Sequence, residues 1–299
     1  MIFERKARES RPVLAICYDF DHTLTPDDMQ AQGYIQSVGY NVAEFWAETD
    51  ELARTHGMDS NLAYMFKMVQ EAEGNLVLNR KALMDYGAKV RLFPGVESWF
   101  ERLRKYGRDH GVIVEHYIIS SGLREMIEGT EMAKRGAFER IYASSFYYSE
   151  RGLAKWPAQA VNYTNKTQFL FRINNGIYNS YDNTSINKSM PEDSRAVPFS
   201  NLIYVGDGET DVPAMKMVNL YGGTTIAVYN PNSVATPTHP RSSKDICIDL
   251  IRQNRADYIA PTIYTENSEL DIILKKIIDK VAMEQDLLNI KYQELNPNT

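Results

Sequence analysis

Short apolar runs that end abruptly at polar residues are the main pattern along this chain of 299 residues. The runs at 13–18, 117–119 and 202–205 end at Asp19, at Ser120 and at Gly206-Asp207. Weaker runs lie at 225–229 and 257–260. Because continuous apolar runs suit strands that are buried on both faces, this pattern predicts a parallel sheet.

Apolar residues at helical spacing lie between these runs and after them. One set is Val96, Trp99, Phe100, Leu103 and Tyr106, and a second set runs from Leu270 to Val281. The alternation of strands with amphipathic helices predicts an α/β fold with right-handed crossovers.

Residues 26–91 interrupt the alternation, because they show helical patterns and no strand. The patterns cover 27–37, 42–55, 61–73 and 79–90. A stretch of about 65 residues is far longer than the dozen or so that a crossover needs. We therefore predict an inserted all-helical subdomain at 26–91 and a core formed by 1–25 and 92–299. The Met and aromatic residues of the insertion are expected to pack rather than to form a binding surface; they are Tyr64, Met65, Phe66 and Met68.

The charge balance and the cysteine content narrow the class of protein. The 33 basic and 39 acidic side chains give a net charge of −6, which argues against a nucleic-acid-binding surface. Two cysteines, Cys17 and Cys247, are too few for a disulfide framework and indicate buried thiols in a reducing compartment. The charged N-terminus has no apolar stretch behind it, and no run approaches the length of about 18 residues that a membrane span needs. We therefore expect a cytoplasmic protein with no membrane partner.

Polar residues at the strand ends are the candidate functional residues. Ligands of open parallel sheets bind beyond the carboxyl ends of the strands, so we expect Asp19, Ser120 and Asp207 at one edge. In Asp19-Phe20-Asp21, one carboxylate can act as a nucleophile while the other transfers protons. A solvated acidic turn is the alternative, but the strand before Asp19 and the Thr-Leu-Thr after His22 favour a functional role.

The second acidic segment, Gly206-Asp207-Gly208-Glu209-Thr210-Asp211, combines a tight glycine turn with a candidate helix cap at Asp211. If Asp19, Asp21, Asp207 and Asp211 share one pocket, they repel one another unless a cation neutralises them. An all-oxygen site selects a hard cation. Mg²⁺ fits best, because it binds through a few carboxylates, water and substrate phosphate.

Ser120, Ser121 and Gly122 form a turn that leads into a predicted helix at 123–127. A hydroxyl and free amides at a helix N-terminus can bind an anion, although a plain helix cap explains this segment equally well. Of the two serines, we favour Ser120 because it directly ends the strand. Lys166 opens a helical pattern and can supply positive charge, whereas a lone Lys is ordinarily solvated surface.

In this order, Asp19-x-Asp21-x-Thr23, Ser120, Lys166 and Gly206-Asp207-Gly208-x-x-Asp211 resemble the motifs of the haloacid dehalogenase-like hydrolase superfamily, specifically its phosphatases. The resemblance covers about 11–25 and 92–285, and the helical insertion resembles the cap of phosphoserine phosphatase-like members. It implies a Rossmann-like core and Mg²⁺-dependent phosphoryl transfer. Lys166 is preferred to Lys188, and the extra length before Asp207 is assigned to a polar loop at 174–200.

The resemblance also implies residue roles. Asp19 attacks phosphorus to give an aspartyl-phosphate, Asp21 protonates the leaving oxygen and later deprotonates water, and Thr23 orients Asp21. Phosphate oxygens are held by Ser120, Gly122 and Lys166. The implied Mg²⁺ ligands are Asp19, the backbone carbonyl of Asp21 and Asp207, with Asp211 supporting the metal-bound waters or Lys166.

We therefore expect a Mg²⁺-dependent phosphatase whose partner is a small phosphorylated metabolite. A cap of this size should close over the core and exclude bulky substrates. A phosphomutase or another phosphotransferase of the same superfamily is the nearest alternative. A non-catalytic protein that binds a phosphorylated ligand is the alternative from a different class, because a fold alone does not fix a function.

Overall fold

A seven-stranded sheet runs through the centre of the computed structural model, which describes residues 11–191, 194–236 and 240–295. The strands are β1 Val13–Tyr18, β2 Ile113–Leu123, β3 Arg140–Tyr148, β4 Ala154–Gln159, β5 Leu202–Gly206, β6 Thr224–Tyr229 and β7 Tyr258–Pro261. Their order is β4-β3-β2-β1-β5-β6-β7, and every neighbouring pair is parallel except β3 and β4. The predicted α/β class with a Rossmann-like parallel sheet is confirmed. The first ten residues, on which the expectation of no signal peptide depends, lie outside the described residues.

Helices cover both faces of this sheet. They are α1 Tyr34–Ser37, α2 Val42–His56, α3 Ser60–Ala72, α4 Arg80–Gly87, α5 Val96–Asp109, α6 Arg124–Gly129, α7 Glu131–Lys134, α8 Lys166–Asn175, α9 Asn183–Ile186, α10 Val212–Leu220, α11 Ser243–Arg252 and α12 Glu269–Leu295. Alternate residues of β1 enter different cores: Leu14 belongs to the core that contains Trp99 of α5, and Ala15 belongs to the core that contains Phe169 of α8. Burial on both faces explains why the strand is a continuous apolar run. None of the helices in the described residues combines the length and the apolar character of a membrane span.

Helices α1 to α4 lie between β1 and β2, where the sequence predicted only helices. Asn41, Asp59 and Asn79 accept hydrogen bonds from backbone N–H groups in the first turns of α2, α3 and α4, which fixes where these helices begin. The single helix predicted at 27–37 is wrong. Gly33, with φ of 143°, divides this stretch into a short 3₁₀ helix at Met29–Gln32 and α1.

Two regions of the core differ from the sequence expectations. Strands β3 and β4 form an antiparallel pair that the apolar pattern does not predict, because polar residues interrupt both strands. The loop expected at 174–200 contains α9 and a 3₁₀ helix at Phe199–Asn201, and residues 192–193 lie outside the described residues. The guanidinium group of Arg172 in α8 donates to the backbone carbonyls of Asn179, Ser180 and Asp182, so this helix holds the start of the loop.

A pair of glycines brings α4 of the helical segment against α6 of the core. A Cβ on Gly87 would lie 1.8 Å from the backbone oxygen of Met126, and a Cβ on Gly129 would lie 2.1 Å from the backbone oxygen of Met84. Real side-chain carbons do not approach oxygen so closely, so the two helix backbones pack at a distance that only glycine permits.

We predict that Gly129→Ala lowers the free energy of unfolding by about 2 kcal/mol, because the added methyl group forces the two helices apart. Within a helix, the same substitution normally stabilises a protein by about 0.5–1 kcal/mol. The sign of the change in urea unfolding therefore decides the question. A stabilised variant would show that the close packing of α4 and α6 is absent.

Candidate active site

Three neighbouring strands carry the predicted site residues to one edge of the sheet. Asp19 directly follows β1, and its backbone N–H donates to the Val205 carbonyl of β5 at 3.0 Å, so it continues the pairing beyond β1. Asp207 directly follows β5. Ser120 lies in β2, two residues past Ile118, the residue opposite Tyr18. Since β1 lies between β2 and β5, the residues converge as the strand order requires.

Lys166, the first residue of α8, forms two ion pairs inside this edge. Its Nζ lies 2.8 Å from Asp19 Oδ2 and 2.8 Å from Asp211 Oδ1, and its side chain is only 1% exposed. Burial alone would lower the pKa of Lys166, but the two carboxylates outweigh that effect and raise the pKa above its usual value. The structure thus places Lys166 in the site, whereas Lys188 is exposed.

Asp211 does not act as the helix cap that the sequence predicts. It occupies the N-cap position of α10, yet its side chain makes no capping hydrogen bond. Asp211 Oδ1 instead accepts from Lys166 and, at 2.6 Å, from the hydroxyl of Tyr204, because a buried carboxylate gains more from an ammonium group than from a backbone amide. Sequence reasoning missed Tyr204. The only signal for it is a hydroxyl within an otherwise apolar strand.

Carboxylate oxygens of Asp19, Asp207 and Asp211 lie within 4.8 Å of one another. Burial raises the pKa of Asp19 to about 6 although Lys166 lowers it. Lost hydration and the carboxylates of Asp211 and Asp19 raise the pKa of Asp207 to about 7. Asp19 and Asp211 pair with the ammonium group of Lys166, and Asp207 is a third carboxylate beside them. Three negative charges thus stand against the one positive charge of Lys166 when all three carboxylates are ionised.

This donor set fits a divalent hard cation. The three groups offer only oxygen atoms, and Asp211 Oδ2 is buried without a hydrogen-bond partner among the described residues. Oxygen ligands of this kind suit Mg²⁺. The carboxylate of Asp21 is not part of the cluster, and the expected ligand from this residue was its backbone carbonyl.

Asp21 and Thr23 occupy the turn after β1. Asp21 Oδ1 accepts the backbone N–H of Met29 at 2.9 Å. Burial and the neighbouring carboxylates of Asp28 and Asp19 raise the pKa of Asp21 well above its usual range. Thr23 is buried, but its hydroxyl has no hydrogen-bond partner in the described part of the chain, so the expected contact with Asp21 is not formed. Met29 instead fixes the Asp21 carboxylate.

The segment 120–122 differs from the predicted turn. Strand β2 continues to Leu123, and a shift of register between Ser120 and Leu123 makes a bulge, so the helix begins only at Arg124. The Ser120 hydroxyl accepts the Gly122 N–H at 3.0 Å, and the N–H of Leu123 points to the sulfur of Met29 at 3.2 Å. The amides expected to be free therefore have partners. A Cβ on Gly122 would lie 2.9 Å from Asp21 Oδ2, so glycine lets the two segments touch.

Comparison with known proteins identifies the family. The family model for haloacid dehalogenase-like hydrolases matches residues 16–216. An uncharacterized protein of Borreliella burgdorferi is 30% identical over 297 residues, which cover 90% of this chain and 98% of that protein. The chain therefore belongs to the haloacid dehalogenase-like hydrolase family, and the resemblance seen in the sequence motifs is confirmed.

Solved structures share the fold at low sequence identity. A hydrolase of this family from Salmonella enterica serovar Typhi has a TM-score of 0.56 and 15% identity, covering 90% of this chain and 73% of that chain. A probable phosphoserine phosphatase from Vibrio cholerae has a TM-score of 0.54 and 15% identity, covering 93% and 69%. The phospho-aspartyl intermediate analogue of a phosphoserine phosphatase has a TM-score of 0.52 and 17% identity, covering 89% and 99%.

We predict that Lys166→Met lowers the free energy of unfolding by about 3–5 kcal/mol in metal-free buffer, because Asp19 and Asp211 remain buried without their cation. Urea unfolding in the presence of EDTA measures the loss. Lys67→Met is the matched control. Lys67 is also nearly buried, but its partners Glu48 and Glu71 are 49% and 22% exposed and can turn towards water, so the loss should be smaller. Equal losses would contradict the buried ion pairs.

Proposed function

We propose that this member of the haloacid dehalogenase-like hydrolase family is a Mg²⁺-dependent phosphatase that hydrolyses a small phosphomonoester through an aspartyl-phosphate on Asp19. One observation carries the proposal: Asp19 belongs both to the lysine ion pair and to the carboxylate cluster. An anion bound to Lys166 and a cation bound to Asp207 would therefore both lie next to the carboxylate of Asp19. Phosphoryl transfer needs such a meeting, because the transferring group is an anion that must be neutralised.

Asp19 is the proposed nucleophile. Its carboxylate forms the bond to phosphorus while the bond to the leaving oxygen breaks, and Asp21 gives its proton to that oxygen. In the second step a water oxygen attacks phosphorus, Asp21 takes the water proton, and the bond to Asp19 breaks to release phosphate. The backbone N–H of Phe20 donates to Asp19 Oδ1 at 2.7 Å, and Lys166 holds Oδ2, so both oxygens of the nucleophile have fixed directions.

Lys166, Ser120 and Gly122 are the proposed phosphate-binding residues, and the Gly122 N–H would turn from the Ser120 hydroxyl to the anion when phosphate binds. Lys166 is held by its two carboxylates and offers its third donor direction to the anion. Ser120 lies on the strand next to Asp19 and already accepts the Gly122 N–H, so its hydroxyl proton is available for a phosphate oxygen. Asp211 accepts a hydrogen bond from the ammonium group, and the hydroxyl of Tyr204 donates to the same oxygen of Asp211.

Mg²⁺ is the proposed cofactor, and its ligands would be Asp19, Asp207 and the backbone carbonyl of Asp21, with Asp211 as support. When bound, the ion would neutralise the charge of phosphate oxygens and of the carboxylate cluster. In the described structure Asp211 contacts Lys166 directly, which favours the support of the lysine among its proposed roles.

Residues 26–91 are the proposed cap, and the remaining described residues are the proposed catalytic core. The cap helices lie against the edge that carries the site, since Tyr64 of α3 reaches the Ser121 carbonyl and Met29 reaches Asp21. We propose that this cover excludes bulky substrates and leaves small phosphorylated metabolites.

Cys17 and Cys247 are free and buried thiols, which supports a reducing compartment such as the cytoplasm.

We predict that Asp19→Asn lowers the rate of phosphate release by at least about 10³-fold, because the amide cannot attack phosphorus. Free phosphate is measured with Mg²⁺ and a panel of phosphomonoesters that includes an aryl phosphate. Asp85→Asn is the control, since Asp85 is an exposed carboxylate on α4 that pairs with Lys81, and this variant should match the wild type.

Each other result has a defined meaning. Equal release by wild type and Asp19→Asn would exclude Asp19 as the nucleophile. Interconversion of sugar monophosphates that requires a sugar bisphosphate, without net release of phosphate, would identify a phosphomutase. Binding of phosphomonoesters by the wild type without release on a broad panel would identify a non-catalytic binding protein.

We predict that Mg²⁺ raises the melting temperature of the wild type by about 3 °C at a concentration far above its dissociation constant, because it binds only the folded cluster. Asp207→Asn should melt higher than the wild type in EDTA, since it removes one repelling carboxylate, and should respond less to Mg²⁺. Differential scanning calorimetry measures both shifts, with NaCl at equal ionic strength as the control. An unchanged response in Asp207→Asn would exclude this residue as a ligand.

A further inference from the structure

Helix α3 of the proposed cap bonds to the loop that carries Ser120. The hydroxyl of Tyr64 donates to the backbone carbonyl of Ser121 at 2.8 Å, and Tyr64 is only 4% exposed. The same carbonyl accepts the hydroxyl of Ser144 in β3 at 3.1 Å. The bulge between Ser120 and Leu123 takes Ser121 out of regular pairing with β3, so these two hydroxyl groups take the place of a strand neighbour.

The first turn of α3 bonds to the turn that leads into Lys166. The side-chain amide of Asn61 donates to the Val161 carbonyl at 2.7 Å, and the Asn162 amide donates to Asp59 Oδ2 at 2.9 Å. The Asn162 carbonyl accepts the backbone N–H of Lys166 at 3.1 Å. Two hydrogen bonds therefore connect the start of α3 to Val161 and Asn162, and the Asn162 carbonyl in turn bonds to Lys166.

These contacts close into a ring. The N–H of Val161 donates to the Ser144 hydroxyl at 3.0 Å, and that hydroxyl donates to the Ser121 carbonyl. Tyr64 reaches the same carbonyl from α3, and Asn61 returns from α3 to Val161. Asn61 and Tyr64 are three residues apart and thus lie on one face of the helix. One helix face consequently touches both segments that the proposed function assigns to phosphate binding.

We propose that Tyr64 and Asn61 are positioning residues, which set the Ser120–Gly122 loop and the turn before Lys166 at the separation that a phosphate group requires. The inference rests on the proposed function for the identity of the anion. Neither residue contacts the reacting atoms. Both act through backbone carbonyls, so their effect is on the geometry of Ser120 and Lys166, and the anion site is assembled only while α3 is seated on the core.

The test compares Tyr64→Phe with Tyr34→Phe in the full chain. Tyr34 is equally buried, and its hydroxyl donates to the Met68 carbonyl at 2.6 Å, a contact that lies wholly within the helical segment. Each variant therefore loses a buried hydrogen bond from a hydroxyl to a backbone carbonyl, and Tyr64→Phe also loses the approach of its hydroxyl to Ser144 and Gln30. Hydrogen exchange measured by mass spectrometry follows the backbone amides of 119–124. Competitive inhibition of phosphomonoester hydrolysis by inorganic phosphate gives the affinity for the anion.

Tyr64→Phe should speed amide exchange in 119–124 by about fivefold and weaken inhibition by inorganic phosphate by a similar factor, since it removes one hydrogen bond. Tyr34→Phe should leave both quantities at the wild-type value. Asn61→Ala should speed exchange in 161–166 and also weaken phosphate binding. Because the contacts form a ring, the double variant should lose less affinity than the product of the two single losses.

The proposal would be overturned if Tyr64→Phe showed the same exchange rates in 119–124 and the same inhibition by phosphate as the wild type. It would also be overturned if Tyr34→Phe changed both quantities as much as Tyr64→Phe does. Failure of the proposed function is distinguishable from this result. Suppose that the wild type releases no phosphate but Tyr64→Phe, and not Tyr34→Phe, speeds exchange in 119–124. The positioning role would then stand, and the proposed phosphatase activity would be wrong. If the wild type hydrolyses phosphomonoesters and Tyr64→Phe has the same KM and kcat, the proposed phosphatase activity would stand and the positioning role of Tyr64 would be wrong.

Discussion

The ammonium group of Lys166 is the charge that makes the arrangement of this site tolerable. Asp19 and Asp211 are buried, and a buried carboxylate costs several kcal/mol unless a cation and hydrogen bonds compensate it. Lys166 meets both at 2.8 Å, and this is feasible only because three separate elements deliver the partners to one point. The end of β1 leads into Asp19, the turn after β5 carries Asp211, and the start of α8 carries Lys166. The order of the strands is therefore a condition for the ion pairs, and the ion pairs hold α8 against the sheet.

The chain's net charge of −6 describes this site poorly. Three carboxylates lie together and two of them pair with Lys166, so their charge acts locally and says little about the partners of the whole surface. Burial raises the pKa of Asp19 and of Asp207, and the mutual repulsion of the carboxylates raises both further, as expected for a cluster that lacks part of its counter-charge. An acidic protein can thus bind an anion, because the same carboxylates gather a lysine and would gather a metal.

Strands and motifs could be predicted from the sequence where burial on both faces writes a continuous apolar run, as in β1 and β5. Strand β3 could not, because Arg140, Ser144 and Ser145 interrupt its pattern and its polar atoms find tertiary partners. Side-chain partners were the second limit. A local rule predicted Asp211 as a helix cap. Its carboxylate instead accepts hydrogen bonds from Lys166 and Tyr204, which are 45 and 7 residues away along the chain, and these contacts replace the bond to a backbone N–H. No spacing along the chain encodes such a competition.

Tyr64 shows why packing and function cannot be separated in the helical segment. The pattern around it predicts a packed residue, and its ring does pack, at an edge-to-face contact with Trp46. Its hydroxyl nevertheless leaves the helical segment and ends on the Ser121 carbonyl. A single hydrogen bond contributes only about 1 kcal/mol, whereas the glycine contact between α4 and α6 is a steric fit of two backbones. A movement of the segment would therefore break the bonds of α3 before it separates α4 from α6. The hydrogen bonds of α3 end on the Ser120 loop and on the turn before Lys166. Any such movement would therefore first change the structure around the proposed phosphate-binding residues.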